Sequence, residues 1–262
     1  MRTLVVLPTF NEAENIEEVL RRLRAAMPDC SVLVVDDGSP DGTADIAEKL
    51  DAKLGPISVL RRPSKSGLGS AYRAGFRRGI DEGFDLLVEM DSDLSHDPAA
   101  LPEMIETLER TEAGLVVGSR YIPGGAIPAW SLHRRLLSEW GNRYAAIVLG
   151  LNVRDATSGY RVYRADVVSR LDLDSIRADG YGFQIEMAYE VRKLGERVVE
   201  HPISFTDRTR GKSKMSGHII VEALVLVTWW GLRDRVLHPL RRRILGARHR
   251  GPSPTAGSPT AK

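Results

Sequence analysis

Through its first 118 residues the chain alternates short, β-rich apolar runs with amphipathic helical patterns, and this alternation restricts the fold more than any other feature. The apolar runs fall at 3–7, 31–35, 57–60, 85–90 and 115–118, separated by helical patterns at 12–26, 41–54, 69–81 and 98–110. Strands joined through helices close as right-handed βαβ units, so the expected fold class is α/β, a largely parallel sheet with helices on both faces. Beyond residue 120 the pattern turns helical, with candidates at 131–149, 164–171, 182–194 and 217–232, and no repeat of fixed period. With 262 residues and 42% apolar content the chain can bury one sizeable core.

Ligands of such sheets bind at the carboxyl ends of the strands. Polar clusters stand there: 8–12 after the first strand, 36–41 after the second, 91–93 after the fourth and 119–121 after the fifth. The run 86–93 ends in two carboxylates at i and i+2. On a strand Asp91 and Asp93 would share a face and meet one divalent cation through oxygen. The same stretch also reads as a turn feeding a helix, with Asp97 as N-cap and Pro98 at the first helical position. In 36–43 one carboxylate can reach a base or ribose, although every residue is also a turn former. In 8–12, Phe10 could flank a base and Glu12 bind ribose, or Asn11 and Glu12 could start a helix. Residues 65–70 resemble a phosphate-cradling turn, but Tyr72 stands where a dinucleotide fingerprint needs its third glycine. Residues 211–213 end like a P-loop, yet Thr206 replaces the required glycine.

Within 131–149, Leu137, Trp140, Tyr144 and Ile147 form an apolar stripe for core or membrane packing. Arg134, Ser138 and Asn142 repeat every fourth residue as a separate polar face, which is either solvated or suited to a phosphate. Residues 205–214 form a basic loop able to close over a pyrophosphate. His96 is set aside as a ligand because hard cations favour oxygen. No Ser-His-Asp arrangement or zinc-spaced cluster supports a hydrolase.

The formal net charge of +2 is unevenly placed: residues 233–250 carry seven arginines against Asp234, and residues 1–232 sum to −5. A uniformly basic nucleic-acid surface is therefore not expected; a basic segment beside an apolar helix fits an anionic membrane face. As a helix, the longest apolar stretch, 219–232, reaches roughly 21 Å, short of the roughly 30 Å hydrocarbon core, so it is expected to lie in the interface or dock to a partner. Cys30 is the only cysteine, which excludes an intrachain disulfide and fits a cytosolic face. Residues 3–7, followed at once by Pro8 and a polar cluster, give no secretory signal.

Taken together, these segments resemble dolichol-phosphate mannose synthases, a branch of inverting glycosyltransferase family two with the nucleotide-sugar-binding, Rossmann-like GT-A fold. The likeness covers about residues 3–220. It rests on Leu-Pro-Thr-Phe-Asn-Glu at 7–12, Asp-Asp-Gly-Ser-Pro-Asp-Gly-Thr at 36–43, Met-Asp-Ser-Asp-Leu-Ser-His at 90–96, Gly-Ser-Arg-Tyr at 118–121, Ser-Gly-Tyr-Arg at 158–161, Gly-Tyr-Gly-Phe-Gln-Ile-Glu-Met at 180–187 and the 208–214 loop. The resemblance implies a GT-A domain over 1–215; hydropathy and charge give an amphipathic interfacial helix and basic segment over 216–250, and the Pro, Ser, Thr and Gly content of 251–262 gives a disordered tail. It implies that Pro8, Phe10, Glu12, Val35 and Asp37 hold the guanosine of GDP-mannose, and that Asp91, Ser92 and Asp93 meet the donor. Asp91 and Asp93 would bind Mg²⁺ or Mn²⁺. Arg120, Arg134 and Ser138 would hold the phosphate of a polyprenyl acceptor, and Arg208 and Lys214 would close over the donor. Phe10 replaces the usual tyrosine, Ser92 the usual alanine, and Ser95 stands where some members carry a metal-binding glutamine. Members carry C-terminal membrane helices or borrow a polytopic membrane partner; this chain resembles the second kind, as in actinobacterial polyprenol monophosphomannose synthases, peripheral on the cytoplasmic face of the plasma membrane. Two rival expectations are a glucosyltransferase using UDP-glucose and a catalytically silent scaffold.

Overall fold

The computed structural model describes residues 1–207 and 217–234. Its strands are β1 (Thr3–Thr9), β2 (Ser31–Asp36), β3 (Ile57–Arg61), β4 (Leu86–Glu89), β5 (Leu115–Ser119), β6 (Arg161–Arg164) and β7 (Val198–Pro202). Its helices are α1 (Ile16–Ala26), α2 (Thr43–Leu54), α3 (Leu68–Asp81), α4 (Leu101–Thr111), α5 (Leu132–Leu149), α6 (Ala165–Ser169), α7 (Gly180–Lys193) and α8 (Gly217–Leu232). One sheet runs in the order β3-β2-β1-β4-β6-β5-β7. Parallel pairing joins β3, β2, β1 and β4, and again β5 and β7, whereas β6 lies antiparallel between β4 and β5.

Alternation along β1 explains the layering. Leu4 and Val6 face one core with α3, α5, α7 and α8; Val5 and Leu7 face the other with α1, α2 and α4. Because both faces are covered, the central strands are apolar throughout, as parallel sheets require. Helix α3 lies especially close to the sheet. A Cβ on Gly75 would come within 2.5 Å of Val6 Cγ1, so a side chain there would push the helix outward.

Two strands were not expected from the sequence. β6 is only four residues long and carries Arg161, which is fully buried and donates to the carbonyls of Ala156, Ser158 and Gln184. β7 ends in Glu-His-Pro and is half-buried along its length. Helix α1 begins at Ile16 instead of residue 12, which frees Glu12 from the helix. The expected interfacial helix begins at Gly217, but α8 is part of the core: Ala223, Val227 and Trp230 are buried, while Val221, Val225, Trp229 and Leu232 are exposed. Arg208 and Lys214, and the expected basic segment and tail from 235 onward, lie outside the described residues.

Candidate active site

A cavity of about 570 Å³ opens at the carboxyl ends of β1, β2 and β4. The parallel register sets Thr9 beside Asp36, so the segments that follow both strands arrive together. Asp36 is spent on the scaffold: it accepts from Thr9 Oγ1 at 2.9 Å and from Ser39 N and Oγ at 2.9 and 2.5 Å. Its neighbour Asp37 lines the cavity, with Arg62 Nε 2.9 Å from Oδ1 and Ser66 N donating to Oδ2 at 3.2 Å. Burial raises the Asp37 pKa, partly offset by the Ser66 N–H and Arg62. Phe10 lies under the Lys65 ammonium, 5.1 Å from the ring centroid. Glu12 is buried on the wall, its N–H held by Thr43 Oγ1 at 3.0 Å and its Oε2 accepting from Asn15 Nδ2 at 2.8 Å.

Asp91 and Asp93 both reach this cavity, but not by strand alternation. β4 ends at Glu89, and the chain then bends, with Leu94 in the left-handed region at φ 67°. Residues that follow hold the Asp91 backbone and the Asp93 carboxylate. Asp91 N donates to His96 Nδ1 at 3.2 Å, and Ser95 N and Oγ donate to Asp93 Oδ1 at 3.0 and 2.5 Å. Tyr72 Oη donates to Asp91 Oδ1 at 3.4 Å. His96 stacks on Tyr160 with centroids 5.1 Å apart, and burial lowers its pKa to about 4, which keeps the ring neutral and Nδ1 able to accept. Ser92 Oγ donates to the Pro8 carbonyl at 2.9 Å and ties the β4 loop to the β1 loop. The expected helix start at Asp97 is present too: its carboxylate accepts from Ala99 N at 3.0 Å and caps a short 3-10 turn, Pro98–Ala100.

Arginines occupy another part of the wall. Arg120 is buried and bidentate to Asp155, with both guanidinium bonds at 2.7 Å, and donates to Thr157 Oγ1 at 2.9 Å. Burial opposes its charge, but Asp155 outweighs burial and raises the pKa. Arg134 is exposed, 3.9 Å over the Trp130 ring, with Nη1 3.1 Å from Asp207 Oδ1, which also accepts from Trp130 Nε1 at 2.7 Å. Ser138 does not line this cavity. It accepts from Tyr121 Oη at 2.7 Å and faces an adjoining apolar groove of about 130 Å³ between α5, α7 and α8. Cavity and groove share Trp130, Arg134, Thr157 and Tyr181. Val35 also stays off the cavity wall: its side chain is fully buried in the core cluster with Ala71 and Tyr72.

The sequence did not single out His96 as a support, nor Asp155, Thr157, Asp179, Tyr181 or Trp130. Asp179 answers the phosphate-cradle expectation at 65–70: its own carboxylate sits at the N-terminus of α3 and accepts from Gly69 N at 3.0 Å. Gly67 there has φ 91°, and a Cβ would lie 2.2 Å from Asp179 Oδ2. The cavity thus offers carboxylates to a cation, an aromatic ring and acids to a polar heterocycle, guanidiniums to an anion, and an apolar exit.

A family model described as Glycosyl transferase family 2 matches residues 4–172. The chain is 52% identical to an undecaprenyl-phosphate mannosyltransferase of Micrococcus luteus, over 90% of this chain and 96% of that protein. It is 45% identical to a polyprenol monophosphomannose synthase of Mycolicibacterium smegmatis, over 90% and 89% of the two chains. Among solved structures, it resembles a mannosyltransferase of Pyrobaculum calidifontis in complex with GDP-Man and Mn²⁺, with a TM-score of 0.57, 17% identity, and coverage of 96% of this chain and 76% of that one.

Proposed function

The chain belongs to glycosyl transferase family 2, and from that premise we propose that it transfers mannose from GDP-mannose to the phosphate of a membrane polyprenol, with inversion, releasing GDP. One observation carries this reading beyond the family: a polar cavity holding Asp91 and Asp93 runs into an apolar groove through four shared residues, so a charged donor and a lipid-borne phosphate can meet at one point. Relatives named for undecaprenyl-phosphate mannosyl transfer and polyprenol monophosphomannose synthesis support the choice of sugar and acceptor.

Pro8, Phe10, Glu12 and Asp37 take the guanosine, with Ser92 beside the donor. Asp91 and Asp93 suit Mg²⁺ or Mn²⁺, because a hard cation held by one or two carboxylates commonly completes its shell with substrate phosphate oxygens. When bound, the cation neutralises charge developing on the departing diphosphate. An acceptor phosphate is already ionised near neutral pH and attacks the anomeric carbon with little need of a base, so the protein's task is positioning. Arg134 and Ser138 hold that phosphate on one helical face, with Arg120 behind them, its fork anchored on Asp155. The family resemblance assigns Arg208 and Lys214, which lie outside the described residues, to the donor.

The lipid tail requires work at a membrane. Among the described residues no helix is long and apolar enough to cross one. The exposed apolar side chains of α5 (Leu132, Leu136, Trp140, Ile147) and α8 (Val221, Val225, Trp229) serve instead as a peripheral contact on the cytoplasmic face, alone or against a membrane partner. Radiolabelled GDP-mannose incubated with short polyprenyl phosphates, with and without EDTA and in parallel with UDP-glucose, tests the whole reading. Label should enter lipid from GDP-mannose and stop with EDTA. Transfer from UDP-glucose alone would move the assignment to a glucosyltransferase, and no transfer from either would leave the silent scaffold.

A further inference from the structure

A second cavity, of about 520 Å³, is lined by Arg62, Ser66, Arg73, Arg77, Asp174 and Arg177 among others, and shares no residue with the donor cavity. Four guanidiniums here meet one carboxylate. Arg77 pairs with that carboxylate, Asp174, and Arg62 is taken by Asp37. Arg73 and Arg177 make no ion pair and no side-chain hydrogen bond among the described residues, and Arg73 Nη1 is buried without a partner. Burial weighs most against the Arg73 charge and lowers its pKa; Asp179 and Glu186 attract it from beyond ion-pair distance, while Arg77 and Arg62 repel it. Arg73 and Arg77 also stand at i and i+4 on α3, where like charges destabilise a helix. Arg73 is half-buried, with Nη1 enclosed and without a partner, Arg177 is exposed at the rim, and a guanidinium's planar fork matches phosphate oxygens bidentately.

We infer that this cavity binds a phosphate group, gripped by Arg73 and Arg177 with Arg62 and Arg77 beside them, and that Arg62 links it to the donor cavity through Asp37. The site is separate from the transfer reaction and stands whether or not that reaction is mannosyl transfer. The group comes either from free phosphate or from the headgroup of an anionic lipid.

The test titrates the full chain calorimetrically with inorganic phosphate, comparing wild type, an Arg73→Met/Arg177→Met double variant and Asp91→Ala. A parallel arm measures binding to phosphatidylcholine vesicles with and without phosphatidic acid. Saturable phosphate binding that survives in Asp91→Ala and weakens by at least about tenfold in the double variant supports a free-anion site. Phosphatidic-acid-dependent vesicle binding lost in the double variant, without binding of free phosphate, supports a headgroup site. In phosphate-free buffer Arg73→Met should not lower Tm, since it relieves the like charge of Arg77 and keeps an apolar stem; this separates a folded variant from a broken one. Binding of neither probe, binding unchanged in the double variant, or phosphate binding lost only in Asp91→Ala overturns the inference.

Discussion

Ser95 spends two hydrogen bonds on one oxygen of Asp93, and that attachment decides what each residue is worth. Asp93→Ala should lower kcat by about two to three orders of magnitude, the usual loss when one preorganised electrostatic contact is removed, with the folded circular-dichroism spectrum retained; near-normal initial rates at saturating Mn²⁺ would reject the assignment. Ser95→Ala leaves the backbone bond and loses only the hydroxyl, so the metal concentration for half-maximal rate should rise about fivefold, corresponding to roughly 1 kcal/mol. The carboxylate pair was legible in the sequence because Asp-Ser-Asp follows an apolar run. Its supports were not, since a hydroxyl two residues on and a histidine five residues on acquire meaning only once the chain bends at Leu94. A residue far from the site gives a pH test. On β7, His201 Nδ1 lies 3.0 Å from Thr107 Oγ1, and burial lowers its pKa more than nearby Glu103 raises it. The unfolded chain therefore takes up this proton first, at about pH 6.5. Stability from the neutral ring is complete above that pH and is lost as pH falls through the folded pKa. Urea midpoints measured downward from pH 6.5 should fall less steeply in His201→Gln than in wild type; parallel slopes would remove His201 from the balance.

At the scale of elements, α8 illustrates what hydropathy hides. A nearly continuous apolar run from 219 to 232 cannot say which side faces protein, and the expectation of a helix in the interface or docked to a partner followed from that. The structure divides it: Trp230 is 6% exposed and Trp229 is 53% exposed. Trp230→Ala should therefore cost about 3–5 kcal/mol of stability, as expected for emptying an aromatic site in a core. Val225→Ser/Trp229→Ser should leave the denaturant midpoint almost unchanged and reduce co-sedimentation with anionic vesicles. If the surface pair unfolds the protein or leaves vesicle binding intact, the two faces have been assigned the wrong way round. β6 escaped notice for a related reason. A four-residue segment with arginine at both ends reads as surface, yet Arg161 is fully buried because three carbonyls accept from it. The alternating half of the chain was readable, as helix and strand periods differ there. Insertion of β6 between β4 and β5 depends on contacts distant in sequence, which periodicity does not carry.

For the molecule as a whole, the decisive relation is the junction between the cavity and the groove. Carboxyl ends of parallel strands collect the polar loops on one edge, and α5, α7 and α8 bring an apolar wall up to that edge. The groove gives the phosphate-proximal end of the proposed acceptor an apolar wall, and the remaining tail is expected to stay in the bilayer. Residues of the groove alone and residues of the junction should then separate kinetically. Leu224→Ser removes apolar wall from the groove only; losing about 1 kcal/mol of burial, it should raise KM for polyprenyl phosphate about fivefold with KM for GDP-mannose unchanged. Tyr181→Ala, at the junction, should raise both. The acceptor effect of Leu224→Ser should be the same for acceptors longer than the groove, because units that stay in the bilayer do not touch it. A penalty that grows with chain length would mean that the protein holds much more of the lipid than this groove allows, and the division of labour between protein and bilayer would have to be redrawn.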